Sequence, residues 1–310
     1  MFTSLEWMHF VNQKQNGSYD NDNVTEVWRD ILRCFDSVTR IGTKKNDREP
    51  TEAIISLVQT MNTAFGSSNP QFFPPKISDL TQQEPSELLF FLSQKEEFCE
   101  PVRIESSGLV TCIDCKTESE SETQPYFMVE LPLGAQEETN LVPVNDLLRV
   151  HFSDEDIEFL CKQCSGKNAL KRECLKQSGS FLIIRIKREM KIIVPKRSKR
   201  GTKGAQQDVK FTKNCSPVDI FHDNGRIDFC GKKYMLVGVL YHRGTELSSG
   251  HFVVESKRPT IVANNENERC YEWHLFNDET CNKIDCLFKM MPKEQNWRRK
   301  SCAMLMYKAL

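Results

Sequence analysis

Apolar residues in roughly the first hundred positions recur at the spacing of amphipathic helices. In NVTEVWRDILRCFDSVTR (23–40), Asn23 can cap a helix and Glu26 follows three residues later, as in a capping box. The apolar positions behind this cap form one stripe, which consists of Val24, Val27, Ile31, Cys34 and Val38. Two further segments, EPTEAIISLVQTMNTAF (49–65) and QQEPSELLFFLSQ (82–94), have the same character. Together with a short first helix, they predict a helical region up to about residue 98.

From Gly108 onward the apolar segments become shorter and are typical of β-strands. They are GLVTC, YFMVELPL, SFLIIRIKR, KYMLVGVLYH, GHFVVES, YEWHLF and CAMLMYK. The segment VPKRSKRGTKGAQQ (194–207) contains a cluster of charges and almost no apolar residues, so we predict a mobile surface loop between two strands there. The pattern as a whole predicts an α+β protein, with helices first and a sheet-rich remainder.

Composition and charge favour a globular protein over a nucleic-acid-binding or membrane protein. The 310 residues are 39% hydrophobic, which is ample for a core, and 42 Lys and Arg residues balance 43 Asp and Glu residues. This balance gives no reason to expect nucleic acid as a partner, and the short basic run KRSKRGTK is more typical of a solvated loop. No apolar run reaches the roughly 18 residues of a membrane helix, and the N-terminus lacks signal-peptide features. We therefore expect no membrane partner and a cytoplasmic chain, with the nucleus as an alternative.

Two cysteine pairs share one spacing. They are Cys112-Ile-Asp-Cys115 and Cys161-Lys-Gln-Cys164. Two such pairs can supply four thiolates to one tetrahedral zinc ion, and a closed site of four cysteines is structural because it leaves no position for water or substrate. The alternative is that these are incidental free thiols in a reducing compartment. The matched spacing favours one structural Zn²⁺.

His251 lies at the start of a predicted strand, directly after Ser-Gly, and a later strand ends in Trp-His-Leu-Phe-Asn277-Asp278. A catalytic imidazole needs a partner that fixes its tautomer, and a side-chain amide or carboxylate on a neighbouring strand can provide one. A single histidine at a strand start is more often structural. The order of His before Asn is nevertheless that of papain-like cysteine peptidases.

These motifs, in this order, resemble the ubiquitin-specific protease domain. The resemblance rests on QQEPSELLFFL (82–92), the two cysteine pairs, SFLIIRIKR, YMLVGVLYHRGTELSSGHFVV, WHLFND and CAMLMYK, and it covers essentially the whole chain. The sequence departs from the usual Gln-Gln-Asp-Ala pattern at Glu84 and Pro85. The resemblance implies a papain-like core with a helical thumb (about 1–98), zinc-tied fingers (about 99–178) and a β palm (about 179–310).

The resemblance also implies roles for individual residues. His251 would be the general base, Asn277 would orient it, and Asp278 could assist. Ubiquitin or a ubiquitin-like modifier and its conjugates would be the partners, with hydrolysis of the isopeptide bond after the modifier's C-terminal Gly. The segments NWRRKSCAMLMYKAL and GLVTCIDCKTESE resemble the branch of the family that acts on the interferon-induced two-domain modifier.

The family's nucleophile lies in a box resembling Gly-x-Thr-Cys, and the 310 residues contain no such box. Thr3, Ser4 and Leu5 match the Asn-Ser-Leu that follows it, which would place the nucleophile one or two residues before Met1. Cys34 falls on an apolar helix stripe and Cys99 has no motif around it, so neither is expected to substitute.

Three interpretations remain open. The chain is a truncated form of an active protease, a non-catalytic pseudoenzyme that binds ubiquitin or a related modifier, or a family member with an unrecognised nucleophile. We predict that this polypeptide alone is inactive.

Overall fold

The structure is a computed structural model, and it describes residues 56, 59–63, 85–93, 99–134, 141–195, 207–261, 269–277, 280–284 and 292–310. The chain divides into two compact units, Phe2–Pro101 and Val102–Leu310. The boundaries expected for thumb, fingers and palm stay predictions.

The described elements are three α-helices, two short 3-10 helices and seventeen strands. The α-helices are α1 (Pro85–Leu92), α2 (Val144–His151) and α3 (Pro292–Ser301), and the 3-10 helices cover Glu100–Val102 and His222–Gly225. The strands are β1 (Ile104–Cys112), β2 (Glu118–Glu120), β3 (Gln124–Tyr126), β4 (Val129–Pro132), β5 (Val142–Pro143), β6 (Glu155–Glu158), β7 (Asn168–Ser178), β8 (Phe181–Lys187), β9 (Glu189–Pro195), β10 (Gln207–Lys213), β11 (Val218–Asp219), β12 (Arg226–Phe229), β13 (Lys232–Arg243), β14 (His251–Ile261), β15 (Arg269–Asn277), β16 (Thr280–Lys283) and β17 (Cys302–Ala309).

The described part of the first unit is helical, as its periodicity predicts. Residues 56 and 59–63 are helical and lie within the predicted segment 49–65, and α1 lies within the predicted segment 82–94. Pro85 occupies the first position of α1, where its missing N–H has no intrahelical partner to lose. The predicted first helix and the helix over 23–40, including Cys34, lie outside the described residues.

An eight-stranded sheet forms most of the second unit. Its strand order is β16-β15-β14-β13-β17-β8-β4, and β12 also pairs with β13. The pairing of β4 with β8 is parallel, whereas the other pairings are antiparallel. The strands predicted over SFLIIRIKR, KYMLVGVLYH, GHFVVES, YEWHLF and CAMLMYK are all confirmed, and they supply the middle of this sheet.

A five-stranded sheet carries both cysteine pairs. It has the order β2-β1-β7-β6, with β3 also paired to β1, and all of its pairings are antiparallel. The two long strands β1 and β7 pair from Ile104↔Ser178 to Cys112↔Ala169, with a register shift between Glu105 and Ser106. This pairing brings the end of β1, where the first cysteine pair begins, next to the start of β7.

Strands β9 and β10 form a separate antiparallel pair from Gln207↔Pro195 to Lys213↔Glu189. The predicted loop therefore lies between two paired strands but is shorter than its predicted range, because residues 194–195 belong to β9 and residue 207 belongs to β10. Its mobility stays a prediction. Residues 196–206 of this connection lie outside the described residues.

One apolar core packs against the eight-stranded sheet of the second unit. It includes buried residues from β4, β8, β13 and β17, among them Leu131, Ile184, Leu236 and Leu305. Helix α2 contributes Val144, Leu147 and Leu148, whose i, i+3, i+4 spacing places them on one helical face. Among the helices that the structure describes, none is long and apolar enough to cross a lipid bilayer.

Candidate active site and metal centre

His251 and Asn277 lie at the same end of neighbouring strands. His251 is the first residue of β14, and Asn277 is the last residue of β15. The antiparallel register pairs Val254 with Phe276, so the start of β14 lies beside the end of β15. Both side chains are half-buried. The sheet thus joins two residues that are distant in sequence.

A short hydrogen bond links the two side chains. The distance from Nε2 of His251 to Oδ1 of Asn277 is 2.5 Å. An amide oxygen only accepts hydrogen bonds, so Nε2 carries the hydrogen. In the neutral ring, Nδ1 then has the lone pair and is the basic atom. The arrangement therefore fixes the imidazole tautomer in which Nδ1 is unprotonated and can accept a proton from another group.

A second hydrogen bond and a strand pairing connect Asn277 to Thr280 of β16. The hydroxyl of Thr280 donates to the Asn277 carbonyl at 2.7 Å, and Asn277 pairs with Thr280 in the β15–β16 register. These contacts fix the backbone at Asn277, from which the amide side chain projects. Asp278, the predicted assisting residue, lies outside the described residues.

The face of the sheet that carries His251 also contacts helix α3. Trp297 of α3 packs on Tyr241, with ring centroids 5.0 Å apart, and the Arg243 guanidinium lies 5.0 Å from the Trp297 ring centroid. Arg243 pairs with His251 in the β13–β14 register. Helix α3 therefore packs directly beside the strand ends that form the site. The sequence reasoning missed α3, because PKEQNWRRKS shows little apolar periodicity.

A buried ion pair anchors α3 to β14. Glu255 is fully buried and accepts hydrogen bonds from Nε of Arg298 at 2.8 Å and from the Tyr241 hydroxyl at 2.6 Å. Burial, followed by the charge of Glu255, raises the pKa of the Tyr241 hydroxyl well above its usual value, so this group stays protonated as a donor. The network connects α3, β13 and β14, and it lies four residues along β14 from His251.

The four predicted cysteine ligands form one cluster. The Sγ atoms of Cys112, Cys115, Cys161 and Cys164 all lie within 4.8 Å of one another. Two of the pairs, Cys112–Cys164 and Cys115–Cys161, are 3.6 Å apart. Four sulfurs about 2.3 Å from a central zinc would be about 3.8 Å apart. The cluster therefore fits a tetrahedral Zn²⁺.

The two cysteine turns have the same backbone geometry. In the first, the Lys116 amide donates to the Cys112 carbonyl at 3.1 Å, and in the second the Ser165 amide donates to the Cys161 carbonyl at 2.9 Å. Lys116 and Ser165 both have left-handed φ values, of 60° and 61°. The shared conformation turns both thiols of each pair toward the same point. This match supports a metal site rather than incidental free thiols.

Hydrogen bonding favours a thiolate at one member of the cluster, Cys115, whereas the contact with Cys115, followed by burial, raises the pKa of Cys164. Hydrogen bonds from the side chain and the backbone of Thr117 lower the pKa of Cys115 to about 6. A thiolate is the form of cysteine that binds metal.

Cys302 lies in a different environment from the cluster thiols. It is fully buried at the start of β17, and burial raises its pKa. Its thiol stays protonated, as is typical of a cysteine packed in a protein interior.

A family model described as "Ubiquitin carboxyl-terminal hydrolase" matches residues 1–307. The chain belongs to the ubiquitin carboxyl-terminal hydrolase family. One curated member, ubiquitin carboxyl-terminal hydrolase 48 of Danio rerio, is 26% identical over 193 residues, a match that covers 62% of this chain and 16% of the relative. The match therefore spans less than one fifth of that relative.

Two solved structures share the fold of this chain. The SAGA DUB module of Ubp8, Sgf11, Sus1 and Sgf73 bound to monoubiquitin matches with a TM-score of 0.64 at 15% identity, over 100% of this chain and 65% of that chain. The same module bound to ubiquitin aldehyde matches with a TM-score of 0.62 at 13% identity, over 98% of this chain and 63% of that chain. The ubiquitin-specific-protease-type fold predicted from the motifs is thus confirmed.

Proposed function

We propose that this chain carries the base-and-orienter half of a cysteine-type deubiquitinase site. The observation that carries this proposal is the 2.5 Å hydrogen bond between His251 Nε2 and Asn277 Oδ1 at adjacent strand ends. Membership of the ubiquitin carboxyl-terminal hydrolase family supports the same chemistry. The reaction would be hydrolysis of the peptide or isopeptide bond after the C-terminal glycine of ubiquitin or a ubiquitin-like modifier.

In the proposed mechanism, Nδ1 of His251 takes the proton from a cysteine thiol, and the thiolate attacks the carbonyl carbon of the scissile bond. The ring then gives its proton to the amine as the C–N bond breaks, and a water deprotonated by the same ring hydrolyses the resulting thioester and restores the thiol. Asn277 Oδ1 accepts the hydrogen bond from Nε2–H throughout and keeps the ring in one tautomer and one orientation. Asp278 is proposed as a residue that assists at the same strand end.

The four clustered cysteines are proposed to hold one zinc ion. When bound, it would be structural, because four thiolates fill a tetrahedral site and leave no position for substrate. Through the bound ion, the four cysteines would connect the end of β1 to the segment before β7. This connection would hold the two strands together at this end of the five-stranded sheet. The chemistry at His251 would not use this ion.

Ubiquitin is the proposed partner, supported by the fold that this chain shares with solved complexes of ubiquitin and ubiquitin aldehyde. As a finer proposal, the preferred partner is the interferon-induced two-domain modifier, on the motif resemblance of residues 108–120 and 296–310. Competition between the two modifiers for binding to the chain would decide between them.

A second candidate function is non-catalytic binding of ubiquitin or a related modifier. The specific observation in its favour is that no Gly-x-Thr-Cys box occurs among the 310 residues. On either proposal, the polypeptide as given is expected to bind the modifier and to fail to label with a ubiquitin vinyl sulfone probe. Robust labelling that depends on a cysteine within these 310 residues would contradict the expected inactivity.

Probe labelling of a chain extended upstream of Met1 by a Gly-x-Thr-Cys box would distinguish the catalytic function from the non-catalytic binding function. If the site is catalytic, we expect probe labelling, and we expect His251→Gln to slow it by about 10²–10⁴-fold because the general base is lost. His222→Gln is the matched control, since His222 is exposed and lies in a 3-10 helix. An extended chain that binds ubiquitin but never labels would favour the binding function.

A further inference from the structure

The loop 244–250 connects β13 to β14 and leads directly into His251. The register pairs Arg243 with His251 and His242 with Phe252. Because side chains alternate across a strand, His242 and Phe252 lie on the face opposite to His251. Their rings are stacked, with centroids 4.6 Å apart and an interplanar angle of 23°. The two strand ends that flank the loop are therefore held together by ring stacking on the face of the sheet opposite to His251.

Lys213, the last residue of β10, lies buried at this base. Its ammonium donates to the His242 carbonyl at 2.6 Å and to the Gly244 carbonyl at 2.7 Å, and it lies 3.4 Å from Nδ1 of His242. These two carbonyls flank Arg243, the residue paired with His251. One ammonium thus fixes the backbone on both sides of that residue.

The Lys213 contacts begin where the pairing of β13 with β17 ends. The last pair in that register is Tyr241↔Cys302, so the β13 carbonyls beyond it have no β17 residue opposite. Successive carbonyls of a strand point to opposite edges, and the Arg243 carbonyl faces Gly250 on the β14 side. The His242 carbonyl therefore faces the other edge, where Lys213 binds it together with the carbonyl of Gly244, the first residue of the loop.

Gly250 closes the loop against the same residues. A Cβ at this position would lie 2.3 Å from the Arg243 carbonyl oxygen and 2.3 Å from Nε2 of His242. No side chain fits without moving either the strand or the ring. The residue immediately before His251 is thus held against the His242 ring, whose other nitrogen faces Lys213.

We propose that Lys213 and His242 are positioning residues that hold His251 in hydrogen-bonding register with Asn277. This role rests on the proposed function of His251 as the base. Lys213 fixes the end of β13, and the His242 ring packs against Gly250. Because His251 is the next residue after Gly250, these contacts also fix its position on the opposite face of the sheet. Burial, followed by the charge of Lys213, lowers the pKa of His242, which keeps its ring neutral and able to lie beside the ammonium.

The test is the ring N–H signal of His251 in ¹⁵N-labelled 310-residue protein. Nε2–H donates to Asn277, so the wild-type protein should give a downfield ring proton signal that exchanges slowly with water. His251→Gln assigns this signal by deleting it, and Asn277→Ala should abolish it. A wild-type protein without the signal, or a signal that persists in Asn277→Ala, would overturn the proposed role of His251 itself.

Lys213→Met tests the positioning role. We expect loss of the His251 signal while most backbone amide signals of the eight-stranded sheet keep their positions. Lys210→Met is the matched control, because Lys210 is exposed on the same strand, and it should leave the signal unchanged. Gly250→Ala disturbs the same contact from the loop side and should also remove the signal.

If Lys213→Met does not fold, the His251 signal in Gly250→Ala decides whether the contacts at the base of the loop position His251. An Asn277-dependent signal that survives in the folded variants would refute the positioning role of Lys213 and His242, and would leave the proposed function of His251 intact.

Discussion

Glu255 is a carboxylate enclosed entirely by protein, four residues along β14 from His251. Its partners are Arg298, at 2.8 Å from Nε, and the Tyr241 hydroxyl. An ion pair of this kind is costly to bury, but removal of one partner is costlier because the other charge stays desolvated. The pair therefore specifies how α3 docks beside the site.

Replacement of Arg298 tests this interpretation. We expect Arg298→Ala to lower the free energy of unfolding by about 3–5 kcal/mol, because Glu255 is left as an unpaired buried charge. The matched control is Arg149→Ala, since Arg149 pairs with Asp146 on the exposed surface of α2, where the expected loss is about 0.5 kcal/mol or less. Urea unfolding curves measure both. Equal small losses in the two variants would contradict the idea that the buried pair fixes α3.

At the scale of elements, the two cysteine turns and the strands β1 and β7 form one unit. The turns lie at the ends of these strands, where few apolar residues are available: Ile113 and Leu160 are both exposed. A small sheet with little core depends on another source of stability, and metal binding can supply folding free energy directly. The tip of the five-stranded sheet should then be the part most sensitive to metal.

We expect the purified chain to contain one zinc per molecule, and Cys112→Ser to reduce this to well below one. Hydrogen exchange at β1, β6 and β7 should accelerate by at least about 10-fold in this variant, because the turn geometry is no longer held. The control is Cys174→Ser, in the same sheet but outside the cluster. Full metal content in Cys112→Ser would exclude the four-cysteine site.

Local sequence patterns predicted much of this fold. The alternating or continuous apolar runs of β8, β13, β14, β15 and β17 predicted strands because their side chains fit a half-buried or buried pleated surface. The Cys-x-x-Cys spacing predicted the cluster because the chemistry of the ion restricts that spacing. His251 and Asn277 were found because both lie at strand ends in a recognisable order.

Other features were missed for physical reasons. Helix α2 has eight residues, and its only signal was the spacing of Val144, Leu147 and Leu148, which is too short to distinguish from a loop. The contact of Lys213 with the β13 carbonyls joins residues about 30 positions apart. Such pairings depend on strand order, which one sequence does not encode locally.

At the scale of the whole molecule, β17 joins two parts of the eight-stranded sheet. It pairs with β13 on one side and with β8 on the other, and Leu305 at its centre is fully buried. Among the strands that the structure describes, β4 and β8 are connected to the rest of this sheet through β17 alone. The sheet is therefore expected to unfold as one cooperative unit.

We expect Leu305→Ala to lower the free energy of unfolding by about 2–5 kcal/mol, through lost burial and a new cavity. Leu310→Ala is the control: this residue is 74% exposed and should change stability by about 0.5 kcal/mol or less. Circular dichroism and the fluorescence of Trp273 and Trp297 would follow the transition. Separate transitions for the two probes in Leu305→Ala would contradict a single cooperative sheet.

The late position of β17 in the sequence has a consequence for synthesis of the protein. Strands β8 and β13 are both made before residues 302–309, so the nascent chain presents two apolar strand edges without their shared neighbour. Unpaired edges of this kind are prone to associate with other chains. We therefore expect ribosome-bound intermediates of this protein to recruit chaperones until β17 emerges and inserts between the two edges.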